Sequence, residues 1–236
     1  MVSCVPARVT TGNKAMIHVV EGVNAACYQA ELDEMFRQRA YVFQEKLGWD
    51  VTVDRFGHEK DKYDTPRSVY LLKIDEETSE VLGSLRLVST MGPTLLRDVF
   101  SDTLPSDYDF EAPSVWECTR FAVDDRKLEG RTDGMSVSRV ASELLFAIGE
   151  IGISAGISTI VGNFAPPMIR IYRRAGCKVD VLGKSNAYSV PVYLGAFEVA
   201  EHVLDGMRET LNIEGSILAP RRKPAGYSVA AQKKAA

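Results

Sequence analysis

The sequence has 236 residues, 45% of them hydrophobic and 25% charged, with a formal net charge of −4. A chain of this size and make-up can bury one substantial core, which separates it from disordered and fibrous sequences. No apolar run approaches the length of a membrane span, and no nucleic-acid-binding motif occurs.

The opening MVSCVPARVTTGNKA lacks both periodicity and the apolar centre of a signal peptide. It predicts a cytoplasmic protein with a flexible extension over 1–15 and a domain over 16–214. Cys4, Cys27, Cys118 and Cys177 are scattered, with no Cys-x-x-Cys and no neighbouring His pair. Neither a metal site nor a disulfide framework is expected.

Residues 16–20 read as a short strand. A helix then spans about 28–47, because Tyr28, Leu32, Met35, Phe36, Phe43 and Leu47 recur at three- and four-residue steps. Arg39 falls on that apolar stripe, where a guanidinium needs a carboxylate partner. Gly48 suits a left-handed helix end. Trp49 follows, then an acidic cluster at Glu59, Asp61 and Asp64. One ion pair would account for Arg39. The surplus of acids and the adjoining Phe43 and Trp49 instead suit a zwitterionic or cationic small molecule.

Segments 69–74 and 81–89 read as strands joined by a polar turn. Arg86 lies on the second, where a solvated surface charge is the simplest reading. Pro93 suits the first turn of a short helix reaching about 100. The next strand, 115–123, carries Trp116-Glu117-Cys118-Thr119-Arg120-Phe121. Regular alternation would separate Glu117 from Arg120, so both can line one site only if the strand bulges between them. Ser136 opens a helix with a core stripe through Val140, Leu144 and Ile148. Residues 157–161 form a buried strand, Pro166-Pro167 open a helix that Gly176 closes, and a strand over 192–199 precedes a helix over 201–211. Strands alternating with helices predict an α/β layered domain around a mixed sheet.

Charge is uneven. Residues 215–236 hold five basic residues and no acid, which leaves 23 basic against 32 acidic residues elsewhere. That stretch reads as a disordered basic tail. Within the acidic body, 151–179 has no Asp or Glu but contains Arg170, Arg173, Arg174 and Lys178, a patch able to meet an acidic partner.

In order along the chain stand Arg39, Phe43, Trp49, Asp61, Asp64, Arg86, Glu117 and Arg120. This series, with Gly92-Pro93-Thr94-Leu95-Leu96 after Arg86, resembles the signature of the acyl-homoserine lactone synthases, the autoinducer synthases of bacterial quorum sensing. The resemblance spans roughly 16–180. It implies the acyltransferase fold shared with N-acetyltransferases, a mixed sheet flanked by helices and splayed into a cleft. It also implies transfer of an acyl group from acyl carrier protein or acyl-CoA to the amine of S-adenosyl-L-methionine, a substrate and not a cofactor. Lactonisation then releases methylthioadenosine.

Under that resemblance Arg39, Phe43, Trp49, Asp61 and Asp64 bind S-adenosyl-L-methionine. Glu117 is the candidate base, with Thr119 placing a water, and Arg86 and Arg120 bind substrate carboxylate or hold the acids. Val161, Phe164 and Met168 line the acyl pocket. Residues 162–165 lack the Thr that the family associates with 3-oxo chains, an expectation against such a substrate. Two alternatives compete. An acetyl-CoA-dependent N-acetyltransferase would carry an Arg/Gln-x-x-Gly-x-Gly/Ala loop, which Arg126 to Gly134 does not match. A silent sensor would bind S-adenosyl-L-methionine without turnover.

Overall fold

The computed structural model describes residues 16–106 and 108–223. A helix of eleven residues, α1 (Gln29–Arg39), follows strand β1 (Ile17–Val20). Strands β2 (Val69–Ile74) and β3 (Val81–Ser89), the short helix α2 (Leu95–Asp98) and strand β4 (Val115–Val123) come next. The second half holds α3 (Val137–Ala155), β5 (Thr159–Phe164), α4 (Met168–Arg174), β6 (Asp180–Ser185), β7 (Val192–Glu198) and α5 (Glu201–Leu211).

The strands form one sheet in the order β1-β2-β3-β4-β5-β7-β6, with β4–β5 the parallel pair and the other pairings antiparallel. This is the expected mixed sheet. Helix α3 covers one face, where Leu71, Leu85, Leu87, Val140, Leu144 and Phe146 make the main core. Helix α1 covers the other, packing Met35 against Tyr70, Leu72 and Ile74. Helices close where predicted at Gly48 (φ 64°) and Gly176 (φ 71°), a conformation that costs glycine little. Pro93 stands just outside α2, whose cap is Thr94: its hydroxyl accepts from the Arg97 N–H.

Three local departures position the site. First, the helix predicted over 28–47 widens into a π-helix at Ala40–Lys46. The wider turn changes the phase of the stripe, so Phe43 stays buried while Leu47 turns outward. Second, β4 bulges: Thr119 pairs with Arg86 and Ala122 with Ser84, which sets an extra residue against β3. Arg120 takes φ 53° there, a strained conformation for a side-chain-bearing residue. Third, β4 and β5 pair only through Glu117↔Val161 and then diverge, opening the sheet.

Strand β6 has no counterpart in the sequence reading. Half its residues are exposed and one alone is buried at this sheet edge, so no apolar alternation marks it. The ordered body also runs past 214. Ile17 and Ala219 bond to the Ile217 and Ile17 carbonyls, and Arg222 lies over the Tyr28 ring and pairs with Glu31. Residues 1–15 and the rest of the expected tail, 224–236, lie outside the described residues.

Candidate active site

Three arginines and three carboxylates interlock between α1, the 49–64 loop, β3 and β4. The apolar stripe of α1 delivers Arg39 inward, 1% exposed, where its Nε donates to Glu59 at 2.6 Å. Its two terminal nitrogens donate to Asp64 at 2.8 and 2.9 Å, a bidentate pair. Arg86, fully buried on β3, forks onto Asp61 at 2.5 and 3.0 Å and donates through Nε to the Thr119 hydroxyl. Arg120 reaches Glu59 at 3.0 Å and Asp61 at 2.9 Å. Arg86 is therefore no surface charge. The loop is itself pinned, since Glu59 N–H donates to the Phe36 carbonyl and the Tyr63 hydroxyl to Asp98.

Burial opposes ionisation of Asp64, but Arg39 and Arg86 outweigh it and hold its carboxyl well below the usual range. Burial likewise opposes charge on Arg86, and Asp61 and Asp64 more than offset that. In this network each guanidinium meets two carboxylates.

Beside it lies a cavity of about 1410 Å³ that passes through the splayed sheet. Its mouth is charged and aromatic, with Glu59, Asp61, Arg120, Phe43 and Trp49 in the wall. Phe43 and Trp49 stack at 5.1 Å, with the Arg120 guanidinium 5.4 Å from the Phe43 centroid. Trp49 is 39% exposed, available to a ligand and not a core ring. Beyond the gap between β4 and β5 the wall turns apolar, through Leu145, Ile148, Ile160, Phe164, Leu204 and Met207.

Glu117 stands at the neck. The α2 N–H groups of Leu95 and Leu96 donate to its two oxygens at 3.0 and 2.6 Å. Burial pushes its carboxyl up, and these N–H groups and Arg86 offset only part of that, leaving it at about 7. A carboxylate there is poised to accept a proton near neutrality. The bulge turns Arg120 to the Glu117 face, which meets the condition that alternation imposed.

Several expectations need correction. Arg39, Asp64 and Arg86 do not line the cavity: they stand behind Glu59, Asp61 and Arg120 and hold them. Thr119 does line it, but with its oxygen engaged by Arg86. Val161 does not, because strand alternation turns it to the opposite face, against Leu96 and Leu194. Ile160 takes that place, while Phe164 and Met168 line the cavity as expected. Two wall residues had gone unassigned. Glu59 stood in the acidic cluster without a role, yet Arg39, Arg86 and Arg120 meet only two other carboxylates in the network, Asp61 and Asp64. Tyr172 was signalled by helical spacing, four residues after Met168 on α4.

Arg170, Arg173, Arg174 and Lys178 are all exposed on α4 and just after it. None of the four is in an ion pair with another described residue.

The autoinducer synthase family model matches residues 24–205. The chain is similar to the acyl-homoserine-lactone synthase of Rhizobium etli, with 35% identity over 181 residues, 76% of this chain and 82% of that one. In structure it is similar to BjaI, a CoA-dependent acyl-homoserine lactone synthase solved with SAM and isopentyl-CoA. That match has a TM-score of 0.73 and 27% identity and covers 88% of this chain and 95% of that one. TofI, solved in a ternary complex with an inhibitor and MTA, matches at a TM-score of 0.67 and 26% identity over 84% of this chain and 97% of that one.

Proposed function

The chain belongs to the autoinducer synthase family, and from that membership we propose how its own residues divide the work of the reaction. It is an acyl-homoserine lactone synthase, a transferase of the acyltransferase fold shared with N-acetyltransferases. One observation carries the division of roles: a single cavity joins a charged mouth to an apolar chamber, with Glu117 at the neck between them.

S-adenosyl-L-methionine occupies the mouth as a substrate. Its sulfonium and adenine meet Phe43 and Trp49, its carboxylate meets Arg120, and its ammonium meets Glu59 or Asp61. Arg39, Asp64 and Arg86 touch no substrate and fix these groups from behind. The acyl thioester enters from the other side, with its chain in the apolar chamber.

Glu117, directly or through a water, takes a proton from the ammonium, whose pKa of roughly 8 makes the free amine a minor form at neutrality. The amine nitrogen attacks the thioester carbon, the C–S bond breaks, and the carrier thiolate leaves and is protonated. The methionyl carboxylate then attacks its own γ-carbon and displaces methylthioadenosine, whose sulfur keeps the electron pair of the broken bond. Acyl-homoserine lactone, methylthioadenosine and free carrier result.

The donor is an acyl carrier protein, docked on Arg170, Arg173, Arg174 and Lys178. Four unpaired cations on an acidic body favour a strongly acidic partner. Acyl-CoA is the second reading, favoured by the structural similarity to a CoA-dependent enzyme. Reversing Arg173 and Arg174 to Glu is expected to raise KM for the carrier several-fold and flatten its salt dependence, without moving KM for S-adenosyl-L-methionine. Steady-state kinetics at two ionic strengths reads this out, and an unchanged carrier KM rejects the docking role. No helix among the described residues is long and apolar enough to cross a membrane. The site of action is the cytoplasm, where both substrates are made.

The function itself is tested by incubating the protein with S-adenosyl-L-methionine and acyl thioesters on both carriers. Mass spectrometry is expected to find a lactone and methylthioadenosine in equal amounts. Binding of S-adenosyl-L-methionine without methylthioadenosine release would mark a sensor.

A further inference from the structure

Helix α2 has four residues, too few to hold its shape without tertiary anchors. Its N–H groups at Leu95 and Leu96 carry Glu117, so whatever seats α2 also seats the base. The Thr94 hydroxyl caps it, the Arg97 guanidinium donates to the Thr90 carbonyl, and Leu96 packs with Val161 and Leu194. Just past its end the Tyr188 hydroxyl donates to the Val99 carbonyl. None of these anchors comes from the 49–64 loop, which supplies the acids of the charged mouth.

Two side chains of that loop do reach α2, and both end on Asp98. The Tyr63 hydroxyl donates to Asp98 at 2.8 Å, and the Lys62 ammonium pairs with the same oxygen at 2.6 Å. They differ in burial: Lys62 is in solvent, whereas Tyr63 is 5% exposed with its ring in the cavity wall. Tyr63 is also fixed from the mouth. Its N–H donates to Asp61 at 2.9 Å, and the Arg86 guanidinium lies 5.6 Å from its ring centroid.

A continuous path therefore runs from Asp61 through Tyr63 and Asp98 to α2 and Glu117. It joins an acid offered to the substrate ammonium to the group that takes its proton, two groups whose relative placement the transfer depends on. The loop has further pins, in the Glu59 N–H on the Phe36 carbonyl and the Asp61–Arg86 pair, so it does not depend on α2. The short helix is the partner that gains from the bond.

We propose that Tyr63 is a positioning residue: its hydroxyl, through Asp98, seats α2 so that the Leu95 and Leu96 N–H groups hold Glu117 opposite the substrate amine. The proposal rests on Glu117 being the base and deepens that reading. Besides the two N–H groups, Glu117 faces Arg86 from β3 and Asp61 from the loop, with Cys118 beside it on β4. Loosening α2 weakens two bonds that favour the carboxylate and leaves the other groups in place, so Glu117 keeps its proton to higher pH. Neither end of the tether titrates in that interval. Burial pushes the Tyr63 phenol up to about 12, and Lys62 and Tyr63 hold the Asp98 carboxyl below its ordinary value.

The test is the pH dependence of kcat, with KM for S-adenosyl-L-methionine, in Tyr63→Phe, which keeps the ring and removes the hydroxyl. The acid limb is expected to move up by about half a pH unit or more, the effect of weakened hydrogen bonds to a carboxylate. At pH 6 that lowers kcat about threefold or more, while KM stays near the wild-type value. Asp98→Ala is expected to shift the limb equally, and the double variant no further than either single one. Because Asp98 is exposed, its variant carries the test if Tyr63→Phe does not fold. Asp98→Asn keeps an acceptor for the phenol, and Lys62→Ala keeps the whole tether, so both should leave the limb in place. A loop pin alone would lower the melting temperature and move no limb. An unmoved limb in Tyr63→Phe and Asp98→Ala, or an equal shift in Lys62→Ala, overturns the proposal. A limb that survives Glu117→Gln is a different result, because it overturns the base assignment, and a wild type that releases no methylthioadenosine overturns the synthase reading itself.

Discussion

Glu117→Gln is expected to slow turnover by roughly 10²–10⁴-fold, the usual worth of a general base, while S-adenosyl-L-methionine still binds. Gln keeps the shape of Glu117 and removes the base. It also leaves one of the two α2 N–H groups without an acceptor, at about 1–3 kcal/mol, so a melting curve belongs beside the kinetics. The pH profile separates catalysis from structure. In the wild type, Glu117 becomes a carboxylate as pH rises through about 7, so kcat/KM should climb across that interval. The variant should lose this limb and follow only the ionisation of the substrate amine, near pH ~8. Stability moves in the opposite sense. The folded pKa of Glu117 is raised above its ordinary 4.5, so its contribution is fullest below pH 4.5 and is lost as pH rises through about 7. If Glu117→Gln loses substrate affinity but turns over normally at saturation, Glu117 is a binding carboxylate and the base lies elsewhere.

What could be read from sequence divides along a physical line. Strands β2, β3 and β4 and helix α5 have the predicted boundaries because alternation, turns and helical periodicity are local signals. Arg39 was readable for the same reason: a guanidinium on an apolar stripe advertises its need for acids. The bulge at Arg120 was posed as a condition and not resolved, since it depends on how β4 registers against β3, a non-local matter. Glu59 and Asp64 could not be told apart in role by spacing alone, because the loop between Trp49 and Asp64 has no period to count. Val161 and Ile160 sit side by side on a strand buried on both faces, where an apolar run hides which face is which. Strand β6 was missed because an exposed edge carries little apolar pattern, and the 215–223 segment because its composition hides its packing on β1.

Glu59→Gln should destabilise the fold by about 3–5 kcal/mol, because breaking a buried ion network leaves uncompensated charge. Glu59 is 1% exposed and bridges two arginines, accepting from Arg39 at 2.6 Å and from Arg120 at 3.0 Å. A Gln offers one oxygen in place of two and points an NH₂ at guanidinium donors. Urea unfolding should show a lower midpoint with an unchanged slope, the sign of lost stability without a changed unfolded state. The contrast with Lys62→Ala gives the scale. Lys62 pairs with Asp98 at 2.6 Å but its side chain is 66% exposed, so water and ions screen the pair. Its loss should cost under about 1 kcal/mol. The pH dependence follows from Asp64, which shares Arg39 with Glu59. Its carboxyl is held well below the ordinary value of 3.8. The stabilisation from Asp64 is therefore complete above that value and fades only as acid takes the pH down through the depressed one. Glu59→Gln should also weaken S-adenosyl-L-methionine binding, since Arg120 loses one of the two carboxylates that aim it and sits on a strained turn of β4. A Glu59→Gln protein as stable as Lys62→Ala, with normal affinity, would mean that Asp61 alone positions Arg120 and that the network behind the mouth is dispensable.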